Sequence, residues 1–183
     1  MSHFKQLKDV RNFPFQNTCF PSAEMNVEAR SDGSLIVTPK LKLKEYNPNL
    51  SEVILQQAKE RPEQAYLKER DEDDQWLSIN YSELFRDSSA VAAWLLSQDI
   101  KNRRPVLILS GNSIHHAIIK YGAMAAQIPV CPVSSNYSLM GGDFGRLKHV
   151  IKILNPAVIF AEQTSLYKAA LISVDFLDAI IVT

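Results

Sequence analysis

Four short apolar runs, at residues 106–109, 129–133, 157–161 and 179–182, constrain the fold of this chain more than any other feature. None of them alternates with polar residues, which is the pattern of a strand buried on both faces. Between them lie segments with helical spacing. Residues 114–127 place Ile114, Ala117, Ile118, Tyr121 and Ala125 on one face, residues 143–154 stop at Asn155-Pro156, and residues 164–172 complete the series. Strand, helix, strand, helix with short links is the signature of stacked βαβ units. Right-handed crossovers then give an α/β fold: an open, mainly parallel, doubly wound sheet with helices on both faces.

The upstream half reads differently. Residues 1–32 show no sustained period and are expected to be an irregular amino-terminal arm, with 33–183 forming the α/β domain. Ser31-Asp32-Gly33-Ser34 is a turn signal that feeds a short strand stopped by Pro39. Lys40, Lys42 and Lys44 alternate with Leu41 and Leu43, which suits an extended edge where lysines discourage strand pairing. Asn49 and Glu52 have capping spacing at the start of a helix that carries Leu50, Val53, Ile54 and Ala58 on one face and ends near Arg61-Pro62. Residues 65–70 and 76–79 form a hairpin around Asp71-Glu72-Asp73-Asp74. Asn80 and Glu83 repeat the capping spacing before a stripe made of Leu84, Phe85, Ser88, Val91, Ala92, Leu95 and Leu96.

Charge and cysteine content narrow the function classes. The 20 basic and 20 acidic residues cancel, which argues against the basic footprint of a nucleic-acid binder. Cys19 and Cys131 are far apart and form neither a disulfide framework nor a C-x-x-C pair. The first residues lack the apolar core of a secretory signal, and no run approaches the ~20 residues that span a bilayer. The reading is a cytoplasmic protein without a membrane span.

Ser110-Gly111-Asn112-Ser113 sits where a parallel strand hands over to a helix, the rim at which ligands gather in doubly wound sheets. It matches neither a dinucleotide turn nor a P-loop, so helix capping is the plainer reading. Ser110 or Ser113 would act as a nucleophile only with a His base and an orienting acid, and no G-x-S-x-G elbow is present. His115 and His116 are adjacent, about 100° apart on a helix, and no Cys, Asp or Glu lies three or four residues from either, which disfavours a shared metal. Asp71 to Asp74 lack the glycine and distal glutamate of a calcium loop and read as a solvated turn. Gly141-Gly142-Asp143-Phe144-Gly145 reads as a flexible lead into a helix. Asn136, Tyr137 and Ser138 occupy a loop at the same rim, where Tyr137 either contacts a ligand or caps the core.

Read together, the local strings resemble the adenylate-forming enzymes of the AMP-binding acyl-CoA synthetase superfamily. Leu77 to Leu84 resembles their helix start, and Arg104 to Ser113 their strand and turn. Gly122-Ala123 through Val133 is similar to their helix and following strand. Asn136 to Leu139, Leu147 to Ile151 and Asn155 to Glu162 extend the likeness in order. Arg104 to Ser113 and Pro132 to Leu139 look closest to feruloyl-CoA synthase-type members acting on hydroxycinnamic acids. Gln127 departs from the pattern, which has glycine before the strand, and puts the tightness of that turn in doubt.

The resemblance implies a two-step ligase: ATP and a carboxylic acid give an acyl-adenylate and pyrophosphate, and coenzyme A then captures the acyl group. ATP, Mg²⁺ and coenzyme A are the cofactors it implies for the full-length enzyme. The family's phosphate loop, ribose-holding aspartate and carboxy-terminal lysine have no counterpart here, so no catalytic or metal-binding residue is assigned and the cofactor-binding residues stay unknown. The chain is therefore read as an amino-terminal fragment of such a ligase, inactive alone. The sheet is expected to be incomplete, with residues 157–161 and 179–182 uncovered and the fragment self-associating. The competing reading is a stand-alone binding or partner module without catalysis.

Overall fold

A computed structural model describes residues 24–183, and the chain divides into two compact units between Tyr46 and Asn47. In the first unit, β1 (Met25–Ala29) and β2 (Leu35–Pro39) form an antiparallel hairpin with Val27 opposite Val37 and Ala29 opposite Leu35. Gly33 takes φ +85° in the turn, where a side chain would be strained. Asp32 Oδ1 accepts from the Ser34 N–H and hydroxyl at 2.9 and 2.7 Å. These bonds hold the Asp32 carboxyl below the usual carboxylate range.

The strand β1 departs from the expected irregular arm. Met25, Val27 and Ala29 alternate with polar residues and meet Pro39, Val37 and Leu35 on one face, a period of two too short to stand out in the sequence. Residues 1–23 of that arm, Cys19 among them, lie outside the described residues. Residues 40–49 form no strand, so Lys40, Lys42 and Lys44 decorate an irregular connection instead of a sheet edge.

The second unit opens with α1 (Leu50–Glu60), the antiparallel pair β3 (Ala65–Arg70) and β4 (Trp76–Asn80), and α2 (Tyr81–Ser97). Asn49 caps α1 by accepting from the Glu52 N–H. Asn80 closes a full capping box on α2: its side chain accepts from the Glu83 N–H at 2.8 Å, and Glu83 accepts from the Asn80 N–H at 2.9 Å. The acidic turn is the solvated tip the sequence predicts, with Asp71 Oδ1 accepting from the N–H of Asp73 and Gln75.

Beyond it comes the parallel core: β5 (Val106–Leu109), α3 (Ile114–Ala125), β6 (Val130–Pro132), α4 (Asn136–Leu139), α5 (Gly145–Leu154), β7 (Val158–Ala161), α6 (Thr164–Ser173) and β8 (Ile180–Val182). The four strands lie in the order β6-β5-β7-β8, all parallel, with Val106 level with both Val130 and Val158. Alternate residues of β5 and β7 point to opposite faces. Leu107, Leu109, Ile159 and Ala161 meet Leu147 and Ile151 of α5 and Tyr167 and Ala170 of α6. Val106, Ile108, Val158 and Phe160 meet Ala92 and Leu95 of α2 and Ala123 of α3. Every residue of β5 is buried, as an unbroken apolar run requires.

The expectation that residues 157–161 lie uncovered is overturned: α2, α5 and α6 bury all five. At one edge of the sheet β8 stays open, with Ile180 and Ile181 at 40% and 45% exposure. Arg104 fastens that side of the sheet. Its guanidinium donates to the Asn155 and Pro156 carbonyls, both at 2.9 Å, and to both oxygens of Asp178 at 2.8 and 2.5 Å. One side chain ahead of β5 thus ties down the approaches to β7 and β8.

Candidate functional site

The chain leaves β5 to one side for β6 and returns to the other side for β7, so the strand order reverses between β5 and β7. In open parallel sheets such a reversal opens a crevice at the carboxyl ends of the two strands. Here it is framed by Ser110-Gly111-Asn112-Ser113 after β5 and by Glu162 after β7, whose N–H donates to the Leu109 carbonyl at 3.2 Å.

Ser113 has extended backbone, φ −146° and ψ 167°, and its hydroxyl accepts from the His116 N–H at 3.0 Å, which is the cap that the sequence predicts. The Ile114 N–H donates to Glu69 Oε2 at 2.9 Å, so a carboxylate from β3 closes the positive end of α3. Nothing in the sequence announces that bond, because the partners lie 45 positions apart.

Ser110 is buried, and its Oγ lies 2.8 Å from His116 Nδ1. The same nitrogen is 3.1 Å from the Gly111 carbonyl, which Ser110 Oγ also reaches at 3.1 Å. The structure therefore supplies the histidine that a serine nucleophile would need. It does not supply the orienting acid: among the described residues no carboxylate bonds the His116 ring. Burial pushes the His116 imidazole below its ordinary value, an effect the Gly111 carbonyl opposes. His115 points elsewhere and places Nδ1 3.4 Å from Glu162 Oε1 across the mouth of the crevice. The two histidines do not share a ligand position, and among the described residues no three His, Cys, Asp or Glu side chains converge as a metal site would need.

The remaining sequence candidates have structural roles. Asn136-Tyr137-Ser138 forms α4, a single helical turn in place of the expected loop. Tyr137 packs partly buried against the core, and the Arg146 guanidinium lies 5.5 Å from its ring centroid, contacts that a residue capping the core would make. Ser138 Oγ is buried without a hydrogen-bond partner among the described residues. Gly141 and Gly142 adopt φ +70° and +82° on the way into α5, and Asp143 Oδ1 accepts from the Gly145 N–H at 3.0 Å. A side-chain carboxylate in that position repels phosphate, so the segment is no cradle. Cys131 is a half-buried free thiol whose titration burial pushes up.

The sequence profile of the AMP-binding enzyme family matches residues 54–180. No curated protein sequence matches the chain. Among solved structures, the fatty acyl-adenylate ligase from L. pneumophila in complex with acyl adenylate and pyrophosphate is similar in fold. It has a TM-score of 0.61 and 16% identity over 73% of this chain and 23% of its own. VinN is similar at a TM-score of 0.59 and 18% identity, over 75% of this chain and 33% of that one. The Klebsiella oxytoca NpsA N-terminal subdomain in complex with anthranilyl-AMSN matches at 0.55 and 18% identity, covering 73% and 30%. The chain thus spans 23–33% of the length of these structures.

Proposed function

The chain belongs to the AMP-binding enzyme family, and from that premise we propose that it is the amino-terminal part of an ATP-dependent acyl-adenylate-forming ligase. The observation that carries the reading is the profile match over residues 54–180 on a parallel sheet of order β6-β5-β7-β8. In this reading the segment is scaffold that flanks the nucleotide and acyl sites. Coenzyme A as the acyl acceptor and a hydroxycinnamic acid as the substrate rest on the likeness of residues 104–113 and 132–139 to feruloyl-CoA synthase-type members.

When bound, ATP with Mg²⁺ would turn a carboxylate oxygen into part of a good leaving group. The described residues contain no cluster fit to hold Mg²⁺, so no step of that chemistry is assigned to a side chain of this segment. Self-association through the open side of β8, where Ile180 and Ile181 are exposed, belongs to the same reading.

The test is acid-dependent ATP–pyrophosphate exchange, run on the chain alone and on the polypeptide encoded by its whole reading frame, with ferulic acid and a straight-chain fatty acid. Exchange by the longer product, stimulated by ferulic acid and absent from the chain alone, is the expected result. No exchange from the longer product with any acid sinks the ligase reading. Micromolar binding of ATP or AMP by the chain alone in isothermal titration would favour a stand-alone binding module instead.

A further inference from the structure

We propose that the hollow between α2, α3 and the β7–β8 side of the sheet binds a small uncharged molecule built around an aromatic ring. The inference does not rest on the ligase reading and shares no residue with the crevice at the strand reversal. Side chains of five elements meet around it: Ala90 and Trp94 of α2, Ile119 of α3, Val106 of β5, Phe160 of β7 and Val182 of β8. It encloses about 350 Å³, within the range of pockets that take small ligands. Trp94, 38% exposed, stands at the mouth, and the buried Val106 and Phe160 form the floor.

Size decides what fits. A single turn of α-helix, about 10 Å across and about 5.4 Å long, fills roughly 400 Å³. The hollow is smaller than that, so it suits a discrete small molecule better than a helix laid along the sheet. Its lining sets the chemical class. Every side chain around it is apolar, and the Trp94 indole N–H is the one polar side-chain group among them. A charged ligand would lose its hydration here with nothing to replace it, whereas an apolar one gains by leaving water. Apolar cavities of less than half this size, about 150 Å³, stay dry and take up benzene. The rings of Trp94 and Phe160 favour an aromatic guest, because paired rings gain more than their buried area alone supplies.

The site is tested on the full 183-residue chain by NMR, following the Trp94 indole N–H and the methyl groups of Ile119 and Val182 while toluene is added. Shifts of these groups that saturate with a millimolar or tighter Kd are expected. Ala90→Phe and Val182→Phe each put a ring into the hollow from a different wall. Each should weaken toluene binding at least about tenfold, the scale of one aromatic ring kept out of an apolar site. Ile172→Ala removes an exposed apolar side chain from α6 and should leave binding unchanged. Matched amide spectra establish that each variant is folded. The proposal is overturned if toluene does not saturate, or if both filling variants bind as the native chain does. It is overturned equally if Ile172→Ala weakens binding as much as they do, the mark of toluene coating exposed apolar surface at large. Movement of the same resonances on dilution without toluene, together with failure of toluene to saturate, would assign the hollow to a second copy of the chain instead.

Discussion

Replacing Gly122 with alanine should destabilise the second unit even though alanine is the better helix former. Gly122 lies mid-α3 where that helix packs on α2. A Cβ built there meets Val91 Cγ1 at 2.5 Å, Val91 Cβ at 2.6 Å and the Ser88 carbonyl oxygen at 2.9 Å. Two of those three atoms belong to the α2 backbone or are fixed directly to it, so no rotamer change clears the space. The helices must separate. Overpacking of this kind costs about 1–3 kcal/mol, and contact with backbone-fixed atoms places this case at the upper end. The helix-propensity gain from glycine to alanine returns at most about 1 kcal/mol. The net expectation is a loss of about 2 kcal/mol.

Urea unfolding followed by tryptophan fluorescence reads this directly, since Trp76 and Trp94, the chain's 2 tryptophans, both lie in the second unit. A second arm sharpens it. Val91→Ala removes Cγ1 but leaves the Cβ that stands 2.6 Å away. The double variant should therefore recover part of the loss, with a coupling energy of about 1 kcal/mol. An alanine variant as stable as the native chain, or more so, would show that α2 and α3 are not in this close contact.

Two further outcomes follow from single bonds and single torsions. Gln127 holds φ +58° in the turn before β6 and is exposed. An L-residue pays about 1–2 kcal/mol for that conformation, while glycine loses about 0.5–1 kcal/mol of chain entropy on folding. Gln127→Gly should thus raise stability by roughly 0.5–1 kcal/mol, and a lower urea midpoint would refute the assignment of strain. Asp178 accepts two bonds from Arg104, which hold its carboxyl below the usual range. A depressed acid pKa stabilises the fold above the unfolded value of about 3.9, and that contribution disappears as pH falls through the lower folded value. The gap in urea midpoint between the native chain and Asp178→Asn should be constant near neutrality and close under acid; a gap independent of pH would contradict it.

What the sequence made legible was the part of the fold that local chemistry dictates. Unbroken runs such as Val106 to Leu109 can only be strands with both faces covered, and Asn49, Asn80 and Ser113 mark helix starts because a side-chain acceptor must satisfy an orphan N–H. Gly122-Ala123 was visible as part of a family string, while the reason for the glycine, Val91 one helix away, was not. The pairing of Met25, Val27 and Ala29 with β2 stayed hidden because three alternating residues carry little signal without their partner strand. Coverage of β7 was misjudged for a related reason. Whether a strand is sealed depends on helices α2, α5 and α6, whose apolar faces were recognised one by one but whose placement is a tertiary fact.

The crevice at the strand reversal shows the same division, and it bears on what kind of protein this is. Ser110, His116, Ser113 and Glu69 were or became candidates for chemistry, yet each is already matched within the fold. Ser110 is matched to His116, Ser113 to the His116 N–H, and Glu69 to the Ile114 N–H. A group that must meet a reacting atom has to keep bonding capacity free, and a group that fixes a turn spends it. At this rim the polar side chains hold a strand-to-helix junction in shape and leave the His116 ring unoriented by any acid among the described residues. That is the economy of a supporting wall, and it favours the proposal that the reactive groups of an acyl-adenylate-forming ligase lie in sequence other than this segment. A hydrolytic Ser110 would contradict it. Ser110→Ala should then leave any esterase rate of the purified chain on p-nitrophenyl acetate unchanged, and loss of a burst of p-nitrophenol in that variant would restore the nucleophile.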